Sequence, residues 1–83
     1  MNILNDIIKY NITFSFYKNN DLNFPGVFIR MNAPDYHYYF IKYLDERDIN
    51  TCNDSNDFIL MVLIDMIVHF KREMVHNGKA KRD

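Results

Sequence analysis

The chain has no tryptophan, one cysteine, two glycines and two prolines in 83 residues. With Cys52 alone, no intramolecular disulfide can form, and a small domain without such staples suits a reducing compartment. Gly26 and Gly78 lie far apart, so the sequence holds no glycine-rich loop to cradle a phosphate, no P-loop and no nucleophile elbow. The scarcity of glycine and proline also excludes collagen-like repeats and low-complexity disorder. Long apolar runs are missing too. Phe58–Ile64, continued past Asp65 to Val68, covers eleven positions, whereas a membrane-spanning helix needs about 20. Met1 to Asp6 lacks the basic segment and apolar core of a secretory leader, and the expectation is a soluble, cytoplasmic protein without a membrane partner.

What is present is hydrophobic surface. Hydrophobic residues make up 48% of the chain and aromatics 16%, from six Tyr and seven Phe. The length allows one small domain, expected over residues 1–78, with 79–83 as a basic, disordered tail. The formal net charge of −1 is unevenly spread: residues 1–70 carry five basic and nine acidic side chains, and residues 71–83 carry five basic and two acidic. A global basic footprint for nucleic acid is absent, so direct nucleic-acid binding is disfavoured.

Helical spacing of Ile3, Leu4, Ile7 and Ile8 behind Asn2 predicts a short helix over 2–10. Alternation predicts a strand over 11–18, with Ile12, Phe14 and Phe16 on one side. Lys18–Asn23 reads as a polar turn, and the next strand is expected at Val27–Met31, after Pro25. Asn32–Asp35 is a compact turn before a third strand, Tyr36–Leu44, both of whose faces are aromatic or aliphatic. Asp45–Asp48 opens a polar loop through Asn56. A long helix follows over about 56–76, with Gly78 as its stop. The order α-β-β-β-α gives an α+β two-layer sandwich: a three-stranded antiparallel sheet packed against a long C-terminal helix.

That helix is apolar on more than one face. Ile59, Val62, Leu63, Met66, Ile67, Phe70 and Met74 form the stripe that covers the sheet. Leu60, Met61, Ile64 and Val68 are then left over, and exposing such side chains forgoes about 1.5–3 kcal/mol of burial each. They mark a self-association surface, hence a homodimer.

No catalytic constellation emerges, and an enzyme is not expected. Asp65 and His69 share a helical face with His76 two turns on, but no HExxH pattern accompanies them, and an Asp65–His69 ion pair is the simpler reading. Cys52 has no basic neighbour in sequence to activate it, and only His37, brought near by folding, could serve as its base. No metal or other cofactor is expected. The element order is also that of double-stranded-RNA-binding domains, which grip phosphates with a basic start to the last helix; here Asn53–Asp57 is acidic. Phe28, Arg30, Tyr36, Tyr38 and Tyr39 are the residues that could stack bases. The acidic segment Asp45, Glu46, Asp48, Asp54 and Asp57 is the inverse case, a set of carboxylates able to occupy a basic groove on a partner.

The opening Met1-Asn2-Ile3-Leu4-Asn5-Asp6-Ile7-Ile8, the segment Phe28-Ile29-Arg30-Met31-Asn32 before a turn and a Tyr-containing strand, and the α-β-β-β-α order together resemble the small anti-CRISPR proteins of Gram-positive prophages. The resemblance implies a phage protein acting in the host cytoplasm. It implies inhibition of the type II CRISPR effector nuclease by acidic side chains placed where that enzyme reads PAM duplex DNA. The positions it puts at stake are Asp35, Asp45, Glu46, Asp48 and Asp54. The function expected is therefore a phage or mobile-element accessory protein that binds and inhibits a host defence or nucleic-acid-processing protein. The alternatives are a small homodimeric nucleic-acid-binding regulator and a structural or assembly homodimer.

Overall fold

The structure, a computed structural model, describes residues 2–51 and 54–76, with the backbone alone at 55 and 76. Helix α1, Ile3–Tyr10, starts where its cap is: the Asn2 side chain accepts the amides of Leu4 and Asn5 at 3.1 and 3.2 Å. It ends at Asn11, whose left-handed backbone (φ 53°) lets the amides of Asn11 and Ile12 close on the carbonyls of Ile8 and Ile7.

Three strands follow, β1 Thr13–Asn19, β2 Gly26–Ala33 and β3 Tyr38–Asp45, paired antiparallel in the order β1-β2-β3. This is the α+β meander the sequence predicts, with shifted boundaries. β1 starts at Thr13, because the two preceding amides are consumed by the cap of α1. β2 runs on through Asn32 and Ala33, expected as turn, since Asn32 pairs with Thr13 and Tyr39 while Ala33 pairs with Tyr38. The chain reverses instead through a 3-10 turn, Pro34–Tyr36, closed by His37 at φ 53° with its amide 3.0 Å from the Pro34 carbonyl. Tyr36 therefore precedes the third strand.

Residues facing each other across the register share a face. Phe14, Met31 and Phe40 form one row, and Val27 and Leu44 belong to the same side. This face carries the core: Ile29, Met31 and Ala33 are fully buried against Val62, Met66, Ile67 and Phe70. Tyr38, Phe40 and Leu44 thus face inward from β3, and Tyr39, Ile41 and Tyr43 face outward. The outer face, which also holds Tyr17, Phe28 and Arg30, has no second layer among the described residues.

The segment after β3 is a correction to the expected polar loop: Glu46–Thr51 forms a short helix, α2. The Asp45 side chain starts it by accepting the Arg47 amide at 2.8 Å. Its only apolar residue, Ile49, packs against the core. One apolar position in six residues carries no periodicity to read, so the helix was invisible to pattern.

Helix α3, Ser55–Phe70, is capped by Asp54, which accepts the amides of Asn56 and Asp57 at 3.0 and 3.1 Å. Its course continues as a wider π turn, Lys71–His76, so the helical stretch matches the expected one. The stripe falls as predicted, with Val62, Met66, Ile67 and Phe70 buried and Ile59, Leu63 and Met74 packed beside them. The Phe70 ring lies 5.5, 5.2 and 5.3 Å from the rings of Tyr10, Tyr36 and Tyr38. Lys71 reaches Asp6 at 3.5 Å and ties the π turn to α1. No helix among the described residues is long and apolar enough to cross a membrane. Cys52, the Gly78 stop and the tail 79–83 lie outside the described residues.

Candidate functional site

One end of the sheet gathers four segments: the β1–β2 turn, the end of β3, helix α2 and the start of α3. The Glu46 amide bonds the Pro25 carbonyl at 3.0 Å, and the Tyr43 hydroxyl donates to the same oxygen at 2.8 Å. Of the acidic residues singled out in the sequence, Asp45, Glu46, Asp48 and Asp54 share this end. Asp35 does not. It sits in the 3-10 turn before β3, and the eight residues of that strand separate it from Asp45 by roughly 25 Å.

The four carboxylates differ in how far they are committed. Asp45 holds Arg47 through the backbone amide and through guanidinium contacts of 3.4 and 3.2 Å. Those bonds pull its carboxyl below the ordinary range and raise Arg47 in turn. Asp54 is turned to its capping role. Glu46 and Asp48 are exposed. The Tyr43 hydroxyl rises above its ordinary value through desolvation first, then Asp45, with Glu46 and Asp21 adding and Arg47 opposing. The end is thus negative, and one of its charges is already answered by Arg47.

Beside these carboxylates a groove of about 480 Å³ opens between β3, α2 and α3. Leu44, Phe58, Met61 and Val62 supply its apolar lining, and Lys42, Asp48 and Asp65 bring charge to it. Lys42, Phe58 and Asp65 were not foreseen as site residues. The signal was there for Lys42: a lysine in the inward series Tyr38, Phe40, Lys42, Leu44 marks the margin where the helical layer stops.

The expected self-association residues divide. Leu60 and Met61 are 43% and 69% exposed, while Ile64 and Val68 are half-buried. Met61 belongs to the groove. The expected Asp65–His69 ion pair is not formed; the His69 ring instead lies 5.0 Å from that of Phe40. The side chain of His76 lies outside the described residues, among which no three metal-ligating side chains cluster.

The aromatic set considered for base stacking is split between the two faces. Tyr36 and Tyr38 are turned to Phe70, and the Tyr38 hydroxyl is buried with no hydrogen-bond partner among the described residues. Phe28, Arg30 and Tyr39 lie on the outer face, where the Arg30 guanidinium sits 4.8 Å from the centre of the Tyr39 ring. Comparison of the chain with protein-family models, curated proteins and solved structures finds no match.

Proposed function

We propose that the protein is a non-catalytic binding protein of a phage or mobile element. In this reading it docks in the host cytoplasm on the basic groove of a nucleic-acid-processing protein and inhibits it. The observation that carries the reading is the meeting of carboxylates and an apolar groove at one end of the fold. Glu46, Asp48 and Asp65 offer negative charge to lysines and arginines that otherwise hold phosphates. Leu44, Phe58 and Met61 offer a seat for an apolar anchor, which supplies the affinity that surface charge alone does not. Net charge is modest, so the effect is local occupation of a groove rather than long-range steering.

The likeness in element order makes the type II CRISPR effector nuclease the first target to test. Purified protein is titrated into cleavage of a PAM-bearing duplex. Suppressed cleavage, weakened at least tenfold by the double substitution Glu46→Lys and Asp48→Lys, supports the reading. Unchanged cleavage at saturating protein, with no complex on gel filtration, removes this target. The same arms, run with other basic nucleic-acid enzymes, then decide the wider claim.

A further inference from the structure

Three features compete for a second role. One is the buried Tyr38 hydroxyl beside the π turn, which lines neither the groove nor the outer-face cleft of about 360 Å³. Another is the exposed outer side of α1 and α3, where Leu4, Ile8 and Leu60 are scattered. The third is the outer face of the sheet, which alone is continuous and carries an internal charge pattern. We infer that this outer face is the contact surface for a second copy of the same chain, packed face to face about a twofold axis.

Area is the first argument. Tyr17, Phe24, Tyr39 and Ile41 are 51, 62, 60 and 51% exposed. Since an aromatic side chain offers roughly 150–250 Å², the three aromatics among these expose roughly 350 Å² per copy, and Ile41 adds to that. Phe28, Tyr43, Arg30 and the polar residues between them bring the face close to the ~800 Å² per partner of a standard stable interface. Phe24 belongs to this surface because it shares a cleft of about 360 Å³ with Phe28 and Tyr43. A two-layer domain leaves such a face dry only if something covers it.

Charge is the second. Along the face the register sets successive rows: Tyr39 with Asn32, then Ile41 with Arg30, then Tyr43 with Phe28 and Tyr17, then Asp45 with Gly26. Asp21 and Phe24 in the β1–β2 turn extend the series. The row of Tyr17, Phe28 and Tyr43 is the middle of five. A twofold axis along it lays the row of Arg30 and Ile41 in each copy over the row of Gly26 and Asp45 in the other, so that Arg30 comes within one strand spacing, about 5 Å, of the Asp45 carboxylate that Arg47 also holds, and the row of Tyr39 meets the turn of Phe24 and Asp21. The aromatic middle row meets itself. Face-to-face sheets pack about 10 Å apart, a gap that these side chains fill. An isologous contact requires this kind of self-complementarity, in which residue i meets j and j meets i. The groove lies between β3, α2 and α3, and Asp48, Phe58, Met61 and Asp65, which carry the proposed inhibitory contact, are outside the outer-face rows; Tyr43 at the groove's rim and Asp45 beside it are the residues the two surfaces share.

Sedimentation equilibrium of the full chain decides the matter. A dimer is expected, and Ile41→Glu should shift it to monomer with an unchanged far-UV circular dichroism spectrum. Tyr39→Ser serves as a second probe, and Arg30→Glu should weaken association at least tenfold where Arg30→Lys does not. Met61→Glu, on the helix side, should leave the dimer intact. A wild-type chain that stays monomeric at millimolar concentration overturns the inference. So does a dimer split by Met61→Glu and not by Ile41→Glu. Loss of the dimer leaves the inhibition assay unaffected, so the two readings fail separately.

Discussion

On the helix-covered face of the sheet Ile29, Met31 and Ala33 are completely buried, while on the opposite face Tyr39 and Ile41 expose 60% and 51% of their surface. The two sets lie on neighbouring strands, β2 and β3, and along each strand inward and outward residues alternate. Strand propensity and hydrophobicity therefore do not separate them. The difference comes from α3, which can press its stripe against one face only, and from α1 and α2, which join it on that side. A small meander with a single helical layer has one core face and one spare face, and an apolar spare face is a binding surface rather than a packing surface.

The sharpest way to break this comparison is to truncate one residue on each side of it. Phe70 is fully buried and holds Tyr10, Tyr36 and Tyr38 around its ring. Phe70→Ala should cost about 3–5 kcal/mol, enough to leave little folded protein at room temperature. Ile41→Ala should cost less than about 1 kcal/mol under dilute conditions, because half of that side chain is already in water. Urea denaturation measures both. Equal costs would mean that the outer face is as tightly packed as the inner one.

A second test sits between β2 and β3. A Cβ added at Gly26 would meet the Leu44 carbonyl oxygen and come within 2.8 Å of the Tyr43 ring. The backbone oxygen cannot swing aside as a side chain does. Gly26→Ala should therefore destabilise by about 1–3 kcal/mol, read as a lower melting temperature. The same change at an exposed position of the sheet would cost nothing measurable.

Much of the inner face was legible in the sequence. The i, i+3, i+4 stripe from Ile59 to Phe70 and the alternation through Val27, Ile29 and Met31 depend on local period alone, and both fall where period places them. The two faces of β3 were not separable, because the inward series Tyr38, Phe40, Lys42 and Leu44 includes a lysine and is no more apolar than Tyr39, Ile41 and Tyr43; only the position of α3 decides. Helix α2 was missed for the opposite reason: its one apolar residue makes no pattern, and its start is set by a side-chain bond from Asp45. For the site, clustering of Asp45, Glu46 and Asp48 followed from adjacency in the chain. The distance of Asp35 and the entry of Lys42, Phe58 and Asp65 depend on how α3 crosses the sheet, which no local signal encodes.

Tyr38 supplies a smaller test on the inner face. Its hydroxyl is buried with no partner among the described residues, and desolvation, with Glu73 adding, raises it above the ordinary tyrosine value. A buried hydroxyl left without a bond costs about 1–3 kcal/mol, so Tyr38→Phe should stabilise by about 1 kcal/mol. The sign with pH follows from the direction of the shift. A folded value above the unfolded one favours the fold fully below the unfolded value, near 10, and the favour is lost as pH rises through the folded value. The advantage of Tyr38→Phe should therefore widen in alkali. Stability curves of the two chains that run parallel there would show the hydroxyl to be solvated.

The smallest effect belongs to Asp45, at the end of the outer face. Hydrogen bonds from Arg47 lower its carboxyl below the ordinary value, and the pair is largely open to solvent, with Arg47 88% exposed. A folded value below the unfolded one contributes stability that is complete above the unfolded value, about 3.9, and vanishes as pH falls through the folded one. Asp45→Asn keeps an oxygen to accept the Arg47 amide and start α2 but removes the charge. It should lower the melting temperature slightly at neutral pH. The gap should shrink in added salt, because an exposed pair is screened, and close as acid protonates the wild-type carboxylate. A gap that persists unchanged at low pH would show that Asp45 acts through geometry alone. The charge assigned to this end of the outer face would then contribute nothing to stability.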